Sequence, residues 1–424
     1  MTDAVNAAQG GGPSNDTLTG GTAADTLRGS SGDDLLTARN GDDSLFGGSG
    51  DDIIYGERFI VLNVDDEVID RDVFADVGDD VIWGGAGDDL IQAGVGADTV
   101  YAGAGDDLIG GESIADDIGE RIVIGIGNDL LFGGNGEDHV NGGAGDDQVW
   151  GGTGDDDLGG FNGDDTLWGG GGDDILSGDY SGDGLSSGVD VLFGGSGSDW
   201  IDDAGGGGTL YGGKGDDRLM VEEPFGTGNA FQLYGGCGED QLTVNDFYGA
   251  GAGRLYGGSG SDLLTVSNSD ISAPVLMHGG SGSDEIVVGN WYGDGGLRLA
   301  GGAGDDRVTG SSEGDVITGD AGDDVLRLAG ADRAYGGDGT DLFILTGDDS
   351  GVRKRISDFD PAVDTLRFES DGLSVADISF ELVERGAGRP DDLRLRIEIA
   401  GGAVAQDVLL VGLDAVASIQ VEVV

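Results

Sequence analysis

The sequence predicts an all-β chain: a parallel β-roll, that is, a β-helix or solenoid of stacked nine-residue units, with a small C-terminal β cap. Three observations predict it. The 424 residues include 92 Gly and only 5 Pro, a balance that excludes an ordinary globular domain. The phrase GG-x-G-x-D-x-(apolar)-x runs in register through 11–19, 20–28, 29–37, 38–46 and 47–55, and resumes through most of the chain. The hydrophobic residues, 37% of the total, recur at fixed offsets from the glycines, so this is not a disordered acidic tail.

Each unit divides into a turn and a strand. Glycines at positions one, two and four permit positive φ and close backbone approach, as a tight turn with inward carbonyls requires. The last three residues form a short strand, whose period of two turns the apolar eighth position (Leu18, Leu36, Ile54, Ile91, Ile109, Val149, Leu167, Leu176) to one face. One such unit cannot bury its apolar side chain alone. Two therefore make a coil of two strands and two turns, and coils stack about 4.8 Å apart.

In chain order, a short tail (1–10) precedes a nine-residue-stride roll over 11–202, with loop expansions at 57–75, 112–124 and 179–186. A roll of about 22-residue stride follows over 203–309, then final coils over 310–344 and a capping domain over 345–424, with strand-like runs near 378–384, 393–399 and 407–411. Numbered from Gly11, successive turns alternate between two edges. Odd turns start at 11, 29, 47, 84, 102, 133, 151, 169, 194, 212, 235, 257, 279, 301, 319 and 336, and every one keeps its Asp. Even turns carry the expansions, then a turn, Asp203 to Tyr211, with Gly208 at the ligand position, then loops such as EEPFGTGNAF and NDFYGAGAG. Calcium is thus expected on one edge only between about 212 and 300.

With 83 Asp plus Glu against 20 Lys plus Arg, the formal net charge is −63. Such a chain repels nucleic acid and anionic lipid, and cations are its expected partners. Stacked turns bring Asp carboxylates and loop carbonyls of two coils around one point. Flexible, all-oxygen coordination of that kind suits Ca²⁺ better than Mg²⁺ or Zn²⁺. The single cysteine, Cys237, rules out an intramolecular disulfide, and no 18-residue apolar run provides a membrane span. The start, MTDAVNAAQGGG, has neither the basic nor the apolar region of a Sec-type signal.

At these nonapeptides the sequence resembles the RTX (hemolysin-type calcium-binding repeat) family of type I-secreted bacterial proteins. The resemblance spans roughly 11–344 and implies a Ca²⁺-ligand role for the sixth-position aspartates. On the odd edge these are Asp16, Asp34, Asp52, Asp89, Asp107, Asp138, Asp156, Asp174, Asp199, Asp217, Asp240, Asp262, Asp284, Asp306, Asp324 and Asp341. On the even edge they are Asp25, Asp43, Asp80, Asp98, Asp129, Asp147, Asp165 and Asp190. Many fifth positions are Asp as well, expected to be mostly solvated. The segment Ile356-Ser-Asp-Phe-Asp-Pro-Ala-Val-Asp-Thr-Leu-Arg-Phe368 is similar to the DF-x(3–4)-D segment that closes such arrays. The resemblance also implies secretion without an N-terminal signal peptide, through a type I apparatus and a C-terminal signal.

A second column stands at the ninth position of the even repeats: Phe46, Trp83, Tyr101, Phe132, Trp150, Trp168, Phe193, Tyr211, Tyr234 and Tyr256. It reads either as a ladder stiffening a flat sheet or as a platform for sugar rings or a partner protein. The free loops add Phe225, Tyr248 and Tyr292 at one offset, interrupted by Asp270. The two histidines, His139 and His278, are expected on the surface; neither lies in HExxH, and GxSxG, P-loop and Cys-x-x-Cys motifs are missing. No enzyme is expected. Two functions remain: a secreted structural or surface-layer protein, for which self-association is the discriminating observation, or a calcium-dependent glycan-binding module resembling the repeats attached to alginate epimerases.

Overall fold

A computed structural model describes residues 8–56, 79–94, 97–110, 127–179, 188–204, 207–222, 230–246, 248–249, 251–292, 296–346, 353–369, 378–383, 392–399, 403–410 and 420–423. The bulk of the three predicted expansions, and Phe225, lie outside the described residues. The chain divides into two compact units, Met1–Gly212 and Gly213–Val424. Among the described residues there is no helix, hence none long and apolar enough to cross a membrane.

In the first unit the odd and even strands form two separate parallel sheets. Leu18, Leu36, Ile54, Ile91 and Ile109 stand in register in the odd sheet, and Leu27, Leu45, Ile82, Val100, Leu131, Val149 and Leu167 in the even one. All are buried, because the eighth position is the one side chain per strand that points between the sheets. Insertions leave this frame intact: Phe46 pairs with Trp83 and Tyr101 with Phe132 across them. Ala8–Gly10, assigned above to a tail, instead pair in parallel with Thr26–Arg28, so the even sheet begins one strand earlier.

The second unit shows what the longer stride does. Its odd-sheet strands Arg218–Glu222, Gln241–Asn245 and Leu263–Ser267 each bury two apolar side chains, such as Leu242 with Val244. The facing strands gain an inward position filled by Phe231, Gly253, Val275 and Leu297 in turn. Phe231 is fully buried, and a Cβ on Gly253 would collide with its ring. The wider coil thus holds a thicker core. The loops on the even edge also pack: Tyr248–Gly249 pair with Asp270–Ile271, Ser269 bridges Trp291, and Ile271 and Trp291 are buried. Tyr248, Asp270 and Tyr292 project as an exposed column at the predicted offset.

The C-terminal strands fall at Ile378–Val383, Asp392–Ile399 and Ala403–Leu410, joined antiparallel. They are not a domain apart. Ala403–Leu410 pairs in parallel with Arg353–Ile356 of the roll, and Gln420–Val423 with Thr365–Glu369, so the cap extends both sheets.

Candidate metal centres

Above the first rung of each edge in each unit, the sixth-position Asp enters the stack the same way. Its Oδ1 accepts the backbone N–H of the sixth-position Asp one coil earlier: Asp34 from Asp16 (2.7 Å), Asp52 from Asp34 (2.8 Å), Asp89 from Asp52 (2.7 Å), Asp107 from Asp89 (2.8 Å). The odd edge of the first unit continues through Asp138, Asp156, Asp174 and Asp199, and that of the second links Asp217, Asp240, Asp262, Asp284, Asp306, Asp324 and Asp341. The even edge of the first unit runs likewise from Asp25 through Asp43, Asp80, Asp98, Asp129, Asp147 and Asp165 to Asp190. Apart from Asp16 on the first rung, all are buried.

The other carboxylate oxygen is different. In Asp34, Asp52, Asp89, Asp107, Asp138, Asp156 and Asp174, and in Asp43, Asp80, Asp98, Asp147 and Asp165, Oδ2 is buried with no hydrogen bond. The same holds for Asp240, Asp262, Asp284, Asp306 and Asp324. Most lie beside the repeat's first glycine: a Cβ on Gly47 would collide with Asp52 Oδ2 and with the carbonyl oxygen of Gly84 in the next coil. Carboxylate and carbonyl oxygens therefore converge on one cradle, left open by Gly in most repeats and bordered by Ala38, Ala93 and Ala102 in three. Burial, opposed by the backbone hydrogen bond and reinforced by neighbouring carboxylates, raises Asp43 to about 6, Asp89 and Asp107 to about 7, and Asp165 to about 8. A row of buried, under-bonded oxygen donors is the donor set of a hard divalent cation.

Fifth-position aspartates are exposed, as predicted, yet they form a ladder of opposite sense. Asp33 Oδ1 accepts from Asp51 N–H (3.2 Å), Asp51 from Asp88 (3.1 Å) and Asp88 from Asp106 (3.0 Å).

The family model for the RTX calcium-binding nonapeptide repeat matches residues 10–45, 28–59, 74–109, 124–158, 160–183, 186–219, 247–270, 292–327 and 328–350, more than half of the chain. The chain belongs to this RTX repeat family. No curated protein matches it.

Five aspartates outside the predicted set share the RTX cradles. Asp315 and Asp332 extend the even edge of the second unit, Asp315 N–H donating to Asp332 Oδ1 (2.9 Å). Asp364 is a further odd rung, taking the N–H of Asp341 (3.0 Å). In these three the second oxygen is bonded by protein: Ser311 N–H and Oγ for Asp315, Ala329 N–H for Asp332, Asp360 N–H for Asp364. The eighth-position residues that follow two of them, Ile317 and Leu366, were the available signal. The even edge then ends on a lysine. Arg355 N–H bonds Asp332 C=O as Arg333 N–H bonds Asp315 C=O, which puts Lys354 at the next sixth position, fully buried. Burial raises Asp332 to about 8, and Lys354 pulls it down. Asp179 and Asp203, the remaining two, join Asp190 in one buried group of the first unit.

The aromatic column of the RTX roll is a continuous stack in the first unit, from Phe46 through Trp83, Tyr101, Phe132, Trp150, Trp168 and Phe193 to Tyr211, with centroids 4.3–5.9 Å apart and planes within 13°. In the second unit Tyr234 stacks on Tyr256 (5.2 Å), and His278 follows, tilted. His139 is half-exposed, with Nδ1 2.9 Å from Asp157 Oδ2.

Proposed function

We propose that this chain is a non-catalytic structural or surface-associated protein that leaves the cell through a type I apparatus and winds into its roll when it meets Ca²⁺ outside. The buried Oδ2 atoms without hydrogen bonds carry this reading. Without a cation they cost desolvation and mutual repulsion along each edge, and short glycine-rich turns lose much entropy on closing. In low-calcium cytosol the balance favours an uncoiled chain, suited to export; millimolar Ca²⁺ reverses it, so binding and folding are one reaction. The sixth-position aspartates and loop carbonyls would hold the ions, and the ions supply the positive charge each cradle lacks. Far-UV circular dichroism at pH 8, in chelator and in Ca²⁺, tests this. β signal only with Ca²⁺ is the expected result; an equally folded chain in chelator sinks it.

The stacked column supports a stiffening role rather than a glycan platform. Rings packed face to face offer a sugar only their edges, whereas a stacking platform presents free faces.

A further inference from the structure

The even edge of the first unit ends on a turn, Asp203 to Tyr211, that breaks the repeat in a specific way. Ordinary repeats place Gly first and Asp sixth; here Asp203 is first and Gly208 sixth. The exchange is reciprocal in space. A Cβ on Gly11 would lie 2.6 Å from Asp16 Oδ2, and a Cβ on Gly208 would lie 2.5 Å from Asp203 Oδ2. Asp203 therefore brings its carboxylate into the cradle from the opposite side of the turn. A third carboxylate arrives from Asp179, which takes the second position of its repeat, after Gly178.

Asp179, Asp190 and Asp203 each bring one oxygen to within 4.8 Å of the others, and all three residues are at most 1% exposed. Asp190 Oδ1 accepts Asp165 N–H (2.9 Å) and Asp179 Oδ2 accepts Gly188 N–H (3.1 Å). Asp190 Oδ2 and Asp179 Oδ1 are buried without a hydrogen bond. The groups that act electrostatically on Asp190 are Asp203, Asp179 and Asp165, all carboxylates.

We infer that Asp179 and Asp203 convert the last even-edge rung of the first unit, Asp190, into a three-carboxylate centre that binds Ca²⁺ more tightly than the ordinary rungs and prefers a trivalent ion. It rests on the calcium reading above. Affinity of oxygen sites rises with the number of charged ligands. An extra carboxylate is expected to tighten binding about tenfold over a rung, and three negative charges are balanced by a lanthanide.

The test uses the full chain held folded in millimolar Ca²⁺, dialysed against micromolar Tb³⁺ in excess Ca²⁺, with bound metal counted by mass spectrometry. Wild type should retain one Tb³⁺ per chain. Asp203→Gly and Asp179→Gly should each lose it, the latter restoring the ordinary Gly-Gly pair. Asp203→Gly combined with Gly208→Asp returns a carboxylate to the same cradle from the ordinary side of the turn, so it should regain the Tb³⁺ that Asp203→Gly alone loses; circular dichroism establishes that each variant is folded. Equal Tb³⁺ retention in wild type and the two single variants, or none in wild type, overturns the site. A chain folded in chelator instead overturns the calcium reading, so the two failures are distinguishable.

Discussion

Adjacent aspartates in one turn have opposite burdens. The fifth-position side chain of Asp155 is exposed and accepts one N–H, from Asp173 (2.8 Å). Asn128 does the same work in its own turn, accepting Asp146 N–H at 2.9 Å. Asp155→Asn should therefore change stability by no more than about 0.5 kcal/mol in a denaturant titration with Ca²⁺, whereas Asp156→Asn should raise the Ca²⁺ concentration needed for folding, because it removes a buried donor. Backbone strain gives a second prediction. Arg39 fills a second position, where repeats carry Gly, at φ 80 and exposed. Arg39→Gly should stabilise the calcium-loaded roll by about 1 kcal/mol, read from the unfolding midpoint. The buried carboxyls set the pH dependence. Their folded pKa is raised, from 3.8 to about 6 for Asp43 and about 8 for Asp129, by burial first. The folded state then holds more protons than the unfolded one, so without metal its stability is greatest below the unfolded pKa and is lost as pH rises through the folded values. In chelator, β signal should grow on acidification from pH 8 to 4; a signal that falls over that range contradicts the assignment.

At the scale of elements, the turn-and-strand unit was legible because its period is short and its glycines mark the cradle. Leu18, Leu36 and Ile54 are in register because the nine-residue frame leaves no other pairing that buries them. The rungs outside the consensus were harder to see. Asp364 follows Pro361-Ala362-Val363 instead of glycines, and Asp203 reaches its cradle from the wrong end of the turn; both are identified by what their carboxylates meet in space. Lys354 was illegible for the same reason, since its neighbour across the coil, Asp332, is distant in sequence. Removing one member of a buried pair leaves the other uncompensated, so Lys354→Met should cost the last coils about 3 kcal/mol, seen as earlier hydrogen exchange in Arg333–Asp338 and Arg353–Ile356. In the stack, Trp150 lies 4.5 Å from Phe132 and 4.3 Å from Trp168. Trp150→Ala breaks both contacts and should lower stability by about 1–3 kcal/mol.

Across the whole molecule, a net charge of −63 invites a simpler account in which any cation winds the chain by screening. The carboxylate ladders distinguish the two. Screening acts through mobile ions in water, and at 1 M salt the Debye length is about 3 Å, so repulsion among exposed fifth-position aspartates would vanish. The sixth-position Oδ2 atoms are buried, and a diffuse ion atmosphere cannot replace the bond they lack. Ligation by a dehydrated ion can. Mg²⁺ carries the same charge as Ca²⁺ but requires near-octahedral geometry and gives up water reluctantly, which the crowded cradle of carbonyl and carboxylate does not suit. In chelator, 1 M NaCl should thus leave the chain protease-sensitive, and 5 mM Mg²⁺ at matched ionic strength should do little more. A few millimolar Ca²⁺ should protect the nine-residue-stride coils from proteolysis. If NaCl alone protects them, charge screening winds the roll and the cradles are incidental.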